Sequence, residues 1–277
     1  MKEPAALADI QLTGDSRGVE LQQVGVSGVD MPLCIRRVGR RDFHTWGRFQ
    51  LTSSLAKELR GTHMSRCMSL LAELSRDGLS ELSLTPLLRR AVTSLQASSA
   101  QISVDFQYFM EKGAPVTGLR APMAYTCKLA GSLSRKNARE LVSTRAAVVV
   151  PISSSCPCSK ALAEEGAHSQ RAVIKADFVL DPLENWDFLW IEDSIAALEN
   201  VSSAPVYPLL KRVDEKSVTE QQFGNPKFVE DVLRDAVCLI RTWNKLRGFR
   251  VEVEAYESIH AHNAWACHQE GHFLEEA

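Results

Sequence analysis

Two soft ligands and an imidazole stand close together in the middle of this chain. Cys156-Pro-Cys158 lies within the stretch Ser153–Lys160, and His168 follows ten residues after the second thiol. A proline-stiffened turn carrying a thiol, with a histidine returning nearby, serves either to hold a metal or to make a reactive thiolate. A zinc ribbon is excluded, since no second C-x-x-C completes four ligands, and a thioredoxin motif is excluded because one residue separates the thiols. Three readings stay open on spacing: a catalytic metal with a free coordination position, a Cys/His nucleophile pair, or two small residues closing a strand.

Other residues offer complementary chemistry. His260 and His262 follow an alternating segment, and positions i and i+2 of a strand share a face, which suits metal binding or proton transfer near neutral pH. Glu215 sits in a predicted loop, Arg212–Lys216, after a predicted strand over Ala204–Arg212. Glu230 falls in the first turns of a long predicted helix, where the dipole alone favours an acid by about 0.3–1 kcal/mol. His63 and Arg66 lie at the N-terminus of another predicted helix, an arrangement suited to phosphate as well as to a plain surface helix. His268 and His272 read as an exposed polar tail.

The elements that must position these groups follow from periodicity. Val24–Ile35 reads as an extended segment broken by a turn, and its glycines lack the G-x-G-x-x-G spacing of a nucleotide loop. Strands are predicted over 43–54, 100–110, 123–133, 141–152, 170–180 and 249–258. The third and fourth form a hairpin around Ser134–Ala138, and the fourth runs directly into the Cys156 stretch. Helices are predicted after an N-cap at Thr62, with Met64, Cys67, Met68, Leu71 and Leu74 on one face, and after Thr85-Pro86. Two more span 187–199, with Phe188, Ile191, Ile195 and Leu198 as the stripe, and run from Asn225-Pro226 to about Leu246. The class is α+β: antiparallel sheets with helices on one face, in two tandem modules near 20–155 and 156–266 that make one bimodular unit of the 277 residues.

Composition narrows the function classes. Apolar residues are 45% and charged residues 24%, with a net charge of −2. Bulk electrostatics therefore gives no attraction to nucleic acid or an anionic membrane, and an anionic substrate needs a local basic cluster. No apolar run approaches the roughly 20 residues of a membrane span. The expected location is the cytoplasm, where the seven cysteines (34, 67, 127, 156, 158, 238 and 267) need not pair.

Taken together, the chain resembles the prokaryotic type IB GTP cyclohydrolase I family. The matching stretches are Val24-Gly-Val-Ser-Gly, Gly61-Thr-His-Met-Ser-Arg66, Ser155-Cys-Pro-Cys-Ser-Lys160 with Gly166-Ala-His-Ser-Gln-Arg171, Tyr207–Glu215, Asn225–Asp231 and Glu257–Ala264. They occur in order across nearly the whole chain. The resemblance implies a tunnelling fold in a homo-oligomer, typically a homotetramer with active sites where subunits meet. It implies conversion of GTP and water to formate and 7,8-dihydroneopterin triphosphate, the first step of folate synthesis, through activated water at guanine C8, ring opening and recyclisation. It implies a divalent metal (Zn, Mn or Fe) on Cys156, His168 and Glu215. Glu230 is then expected at the guanine edge, His260 and His262 in proton transfer, and His63 with Arg66 at the triphosphate. Cys158 is expected to support the turn. Two alternatives are a related NADPH-dependent deazaguanine nitrile reductase, or another purine or pterin enzyme, and a non-catalytic metal-binding protein.

Overall fold

The structure, a computed structural model, describes residues 10–35, 41–79, 81–137, 139–180, 191–244 and 246–271. Among the described residues, nine antiparallel strands and six α-helices form the fold. The strands are β1 (Leu21–Ile35), β2 (Phe43–Leu55), β3 (Ser99–Gly113), β4 (Arg120–Lys136), β5 (Arg139–Ser155), β6 (Ser169–Leu180), β7 (Ala204–Pro205), β8 (Leu246–Ala255) and β9 (Ala264–Gly271). Their order is β1-β2-β3-β4-β5-β6-β8-β9, and the short β7 pairs with β5. The helices are α1 (Met64–Asp77), α2 (Glu81–Ser94), α3 (Pro157–Leu162), α4 (Ile191–Glu199), α5 (Arg212–Gly224) and α6 (Val229–Ile240).

The chain divides into two compact units, 1–106 with 129–144 and 107–128 with 145–277. In the first unit, β1 and β2 pair antiparallel, and α1 packs on both. The register of β1 shifts between Val26 and Val29, where Gly28 takes a φ of 66° that a side chain would strain. The strand runs unbroken from Leu21 to Ile35, so a bulge stands where a turn was expected within Val24–Ile35. Period-two alternation puts Phe49 and Leu51 of β2 and Ile102, Val104 and Phe106 of β3 in the core.

Both helices of this unit depart from the sequence reading. The residue capping α1 is His63, whose carbonyl accepts from Arg66 N at 3.0 Å, and its side chain makes no cap bond. Thr62 is buried instead. The core stripe of α1 is Cys67, Leu70, Leu71 and Leu74, whereas Met64 and Met68 are exposed. Positions 67, 70, 71 and 74 form one stripe at helical spacing, and Met64 and Met68 fall at its edge. Helix α2 begins at Glu81, so Pro86 lies inside it rather than at its first turn.

In the second unit, β6 pairs with β8 from Ala172–Ala255 to Leu180–Leu246, and β8 pairs with β9 from Gly248–Gly271 to Ala255–Ala264. Helix α6 covers β8 and β9 with Val229, Val232, Leu233, Ala236, Val237 and Ile240 buried. Each large apolar side chain buried there contributes about 1.5–3 kcal/mol. Asn225 does not cap this helix. Its side-chain amide donates to Ser202 O and Ser203 O, and the N-terminus is closed by Asp231, which accepts from Phe228 N at 3.1 Å. The helix ends at Ile240, before the expected Leu246. Ala204–Arg212 is a strand only over two residues, because Asp214 starts a helix at Arg212. Of the helix expected from Asp187, residues 191–199 are helical, and 181–190, which include Phe188, lie outside the described residues. His268 belongs to β9, half-buried beside Glu270 at 2.8 Å, rather than to a tail; His272 lies outside the described residues.

Candidate active site

The thiol and imidazole of the central motif lie at the facing ends of two strands. Strand β5 ends at Ser155 and β6 begins at Ser169, and Cys156 N donates to His168 O at 3.0 Å. Between them, Pro157 opens the single turn and a half of α3, with Cys156 at its N-cap. Ser159 ties the motif together. Its N–H donates to Cys156 Sγ at 3.4 Å, its hydroxyl donates to Cys156 O at 3.1 Å, and the same oxygen accepts from His168 N at 3.1 Å. Cys156 is half-buried and Cys158 is exposed. The two thiols thus occupy different environments, one inside the turn and one outside it.

A polar chain runs outward from His168. Its Nδ1 lies 2.9 Å from Gln170 Oε1. Gln170 Nε2 reaches Ser154 Oγ at 3.2 Å and Glu257 Oε1 at 3.1 Å, and Glu257 Oε2 lies 3.3 Å from His260 Nδ1. The rings of His168 and His260 are 6.2 Å apart, and those of His260 and His262 are 5.3 Å apart. The histidine pair is therefore gathered beside His168, though by a route other than the one expected. Both residues are exposed in the loop between β8 and β9, and the loop rather than strand alternation brings them together.

Two further connections position the acidic candidates. Lys227 N donates to Ser155 O at 3.0 Å, which pins the start of α6 one residue from Cys156. Glu230 stands exposed on that first turn. Glu215 is exposed on α5, whose first turn is anchored by the buried Asp214. Asp214 accepts from Val116 N and Thr117 N at 2.9 Å, from the Thr117 hydroxyl at 2.8 Å and from Lys211 N at 2.9 Å. Burial pushes its carboxyl up, but the bonds from Thr117, Lys211 and Val116 outweigh it and hold it at about 2. At the other end of the helix, Lys160 of α3 donates to Phe223 O and sits 4.2 Å over the Phe223 ring.

His63 and Arg66 belong to the first unit, the remaining candidates to the second. His63 is half-buried at the N-cap of α1, and exposed Arg66 donates to Ser94 O at 2.6 Å.

A family model described as type I GTP cyclohydrolase FolE2 matches residues 7–266. The chain belongs to that family. Similar FolE2 proteins include GTP cyclohydrolase FolE2 of Geobacter metallireducens, 39% identical over 261 residues that cover 94% of this chain and 96% of that protein. GTP cyclohydrolase FolE2 of Methylococcus capsulatus is 38% identical over 265 residues, covering 96% and 95%. Among solved structures, a uricase from Arthrobacter globiformis aligns with a TM-score of 0.54 at 10% identity over 90% of this chain and 93% of that one. A uricase from Bacillus fastidious aligns at 0.57 and 6% identity over 91% and 94%. These likenesses concern the fold alone, and the fold of this FolE2-family chain is the tunnelling fold, as expected.

The donor set at the strand ends fits a divalent cation of borderline softness. It supplies a sulfur and an imidazole whose other nitrogen is tied to an amide oxygen, as metal-bound histidines are. Among the described residues no three His, Cys, Asp or Glu side chains converge as a ligand group. Gln170, Glu257 and Ser159 are the site residues that residue-type reasoning passed over. All three lie inside the stretches that carry the family resemblance, and Gln170 has the i, i+2 spacing from His168 that places two side chains on one face.

Proposed function

We propose that this chain is a GTP cyclohydrolase that converts GTP and water to formate and 7,8-dihydroneopterin triphosphate in folate synthesis. The observation that carries the reading is the polar chain His168–Gln170–Glu257–His260, beside Cys156, in a chain of the FolE2 family.

Cys156 and His168 are the proposed holders of a divalent metal, with Glu215 as the third ligand. Zn, Mn or Fe would supply Lewis-acid activation of water at neutral pH. The remaining work falls to the chain itself. The Gln170 amide keeps the His168 ring in one orientation, and Glu257 does the same for His260. His260 and His262 are the proposed donors and acceptors of the protons that opening the guanine five-membered ring requires. Glu230 is the proposed anchor for the guanine edge, because a carboxylate accepts two hydrogen bonds from a ring N–H and the adjacent amino group. His63 and Arg66 are the proposed contacts of the triphosphate. The working form is proposed to be a cytoplasmic homotetramer, with no nucleic acid or membrane partner. No helix among the described residues is long and apolar enough to cross a membrane.

Incubation of the purified protein with GTP and Mn²⁺, Zn²⁺ or Fe²⁺, followed by oxidation and dephosphorylation, tests the reading. A fluorescent neopterin product supports it. Absence of product with all three metals contradicts it.

A further inference from the structure

Within the first unit, a cleft of about 410 Å³ opens between α1, α2 and the end of β4, lined by Leu70, Arg89, Arg90, Thr93, Ser94 and Arg135. We propose that this cleft binds a condensed phosphate chain, such as diphosphate or triphosphate, through the guanidinium groups of Arg89, Arg90 and Arg135.

The charge count favours an anion. Arg89 and Arg135 share one carboxylate, Glu140, through their Nε atoms at 2.7 and 3.4 Å, and Arg90 pairs with Glu73. Arg66 lies beside them on Ser94 O. Four guanidinium groups therefore face two carboxylates, a local surplus of two positive charges in a chain whose net charge is −2. Lys136 and Arg139 flank Arg135 at the same hairpin turn and add to the surplus. Arg89, and then Arg135, holds the Glu140 carboxyl below the usual range, so the acid stays charged and the surplus does not grow by its protonation.

The geometry favours phosphate. The arginine side chains are 44–56% exposed, more than the 28% and 36% of Glu140 and Glu73. The three arginines line the cleft, and neither glutamate does. A guanidinium bonded through Nε still offers its two terminal nitrogens as a fork, and that fork matches two phosphate oxygens. Among the described residues, the terminal nitrogens of Arg89 and Arg135 make no hydrogen bond to protein.

The guanidinium groups, and not the hydroxyls, are the donors this cleft offers a ligand. Thr93 Oγ1 donates to Arg89 O at 2.9 Å and Ser94 Oγ to Ala91 O at 3.4 Å, so neither has a proton left for a ligand. The cleft offers cations over the apolar floor of Leu70. Its volume falls in the range of small-ligand sites, about 300–1,000 Å³, which suits a chain of phosphates better than a single one. Stability alone is a weak reason for the cluster, because exposed ion pairs contribute little.

The test is calorimetric titration of the full-length protein with sodium tripolyphosphate at low salt. Saturable binding is expected, weakened about tenfold or more in R89Q/R135Q. A second variant, T93E, keeps every ion pair and adds a carboxylate at the rim, and it should weaken binding comparably. No saturable binding by the parent protein, or affinity unchanged from the parent's in both variants, overturns the proposal. The Michaelis constant for GTP in the same variants identifies the source of the phosphates. A parallel rise means that the cleft holds the nucleotide's own chain, and an unchanged value means a separate phosphate ligand. The titration decides the site whether or not GTP is turned over.

Discussion

The amide of Gln170 fixes the tautomer of His168. Gln170 Nε2 lies 3.1 Å from the Glu257 carboxylate, which can only accept, so Oε1 must be the atom 2.9 Å from His168 Nδ1. His168 Nδ1 is then the donor, which leaves Nε2 as the nitrogen directed away from Gln170. A neutral imidazole with its lone pair on a defined nitrogen is the form that binds a metal.

Gln170→Ala should therefore lower turnover of GTP about 10–100-fold and let metal leave more readily on dialysis. Steady-state kinetics and metal content of the dialysed protein check this together. Activity within twofold of the parent, with full metal retention, would remove Gln170 from the positioning chain.

Asp214 joins α5 to the turn at Val116–Thr117, and Glu215 follows it directly. Asp214→Asn removes the charge that four donors share, and the thermal midpoint should fall by at least about 5 °C. The pH dependence has a defined sign. The folded carboxyl, at about 2, lies below its ordinary 3.8. Its contribution is complete above the unfolded value and is lost as pH falls from about 4 towards 2. The parent should lose stability across that window, and the Asn variant should lose less. Equal acid sensitivity in a pH series of melting curves would contradict the assignment.

Glu230 stands on the turn pinned to Ser155 through Lys227, so its removal should leave the Cys156 region folded. Glu230→Ala is expected to raise the Michaelis constant for GTP at least about tenfold with metal content unchanged. An unchanged Michaelis constant would contradict its role as the guanine anchor.

Strand alternation was legible wherever one face is buried, as along Ile102–Tyr108 and Val251–Ala255, because a period of two is written directly in the residues. Helix ends were less legible. Thr62 and Asn225 are good capping types, yet the caps fall on His63 and Phe228, since tertiary contacts claim Thr62 for the core and Asn225 for Ser202 and Ser203. At the site, the motif drew attention to Cys156, His168, His260 and His262. Gln170 and Glu257 escaped because an amide and a carboxylate acquire meaning only when strands β6 and β8 pair and bring them within 3.1 Å across 87 residues of chain. His260 and His262 come together in a loop, where their i, i+2 spacing implies a strand.

Two thiols one residue apart occupy different environments. Cys156 accepts the Ser159 N–H beside His168, whereas Cys158 is exposed on α3. Formation of dihydroneopterin triphosphate from GTP by Cys156→Ala and Cys158→Ala, measured in parallel with the metal content of each protein, tests this most directly. Cys156→Ala should lose turnover and metal together, while Cys158→Ala keeps both near the parent level. Turnover by Cys156→Ala close to that of the parent would contradict the account.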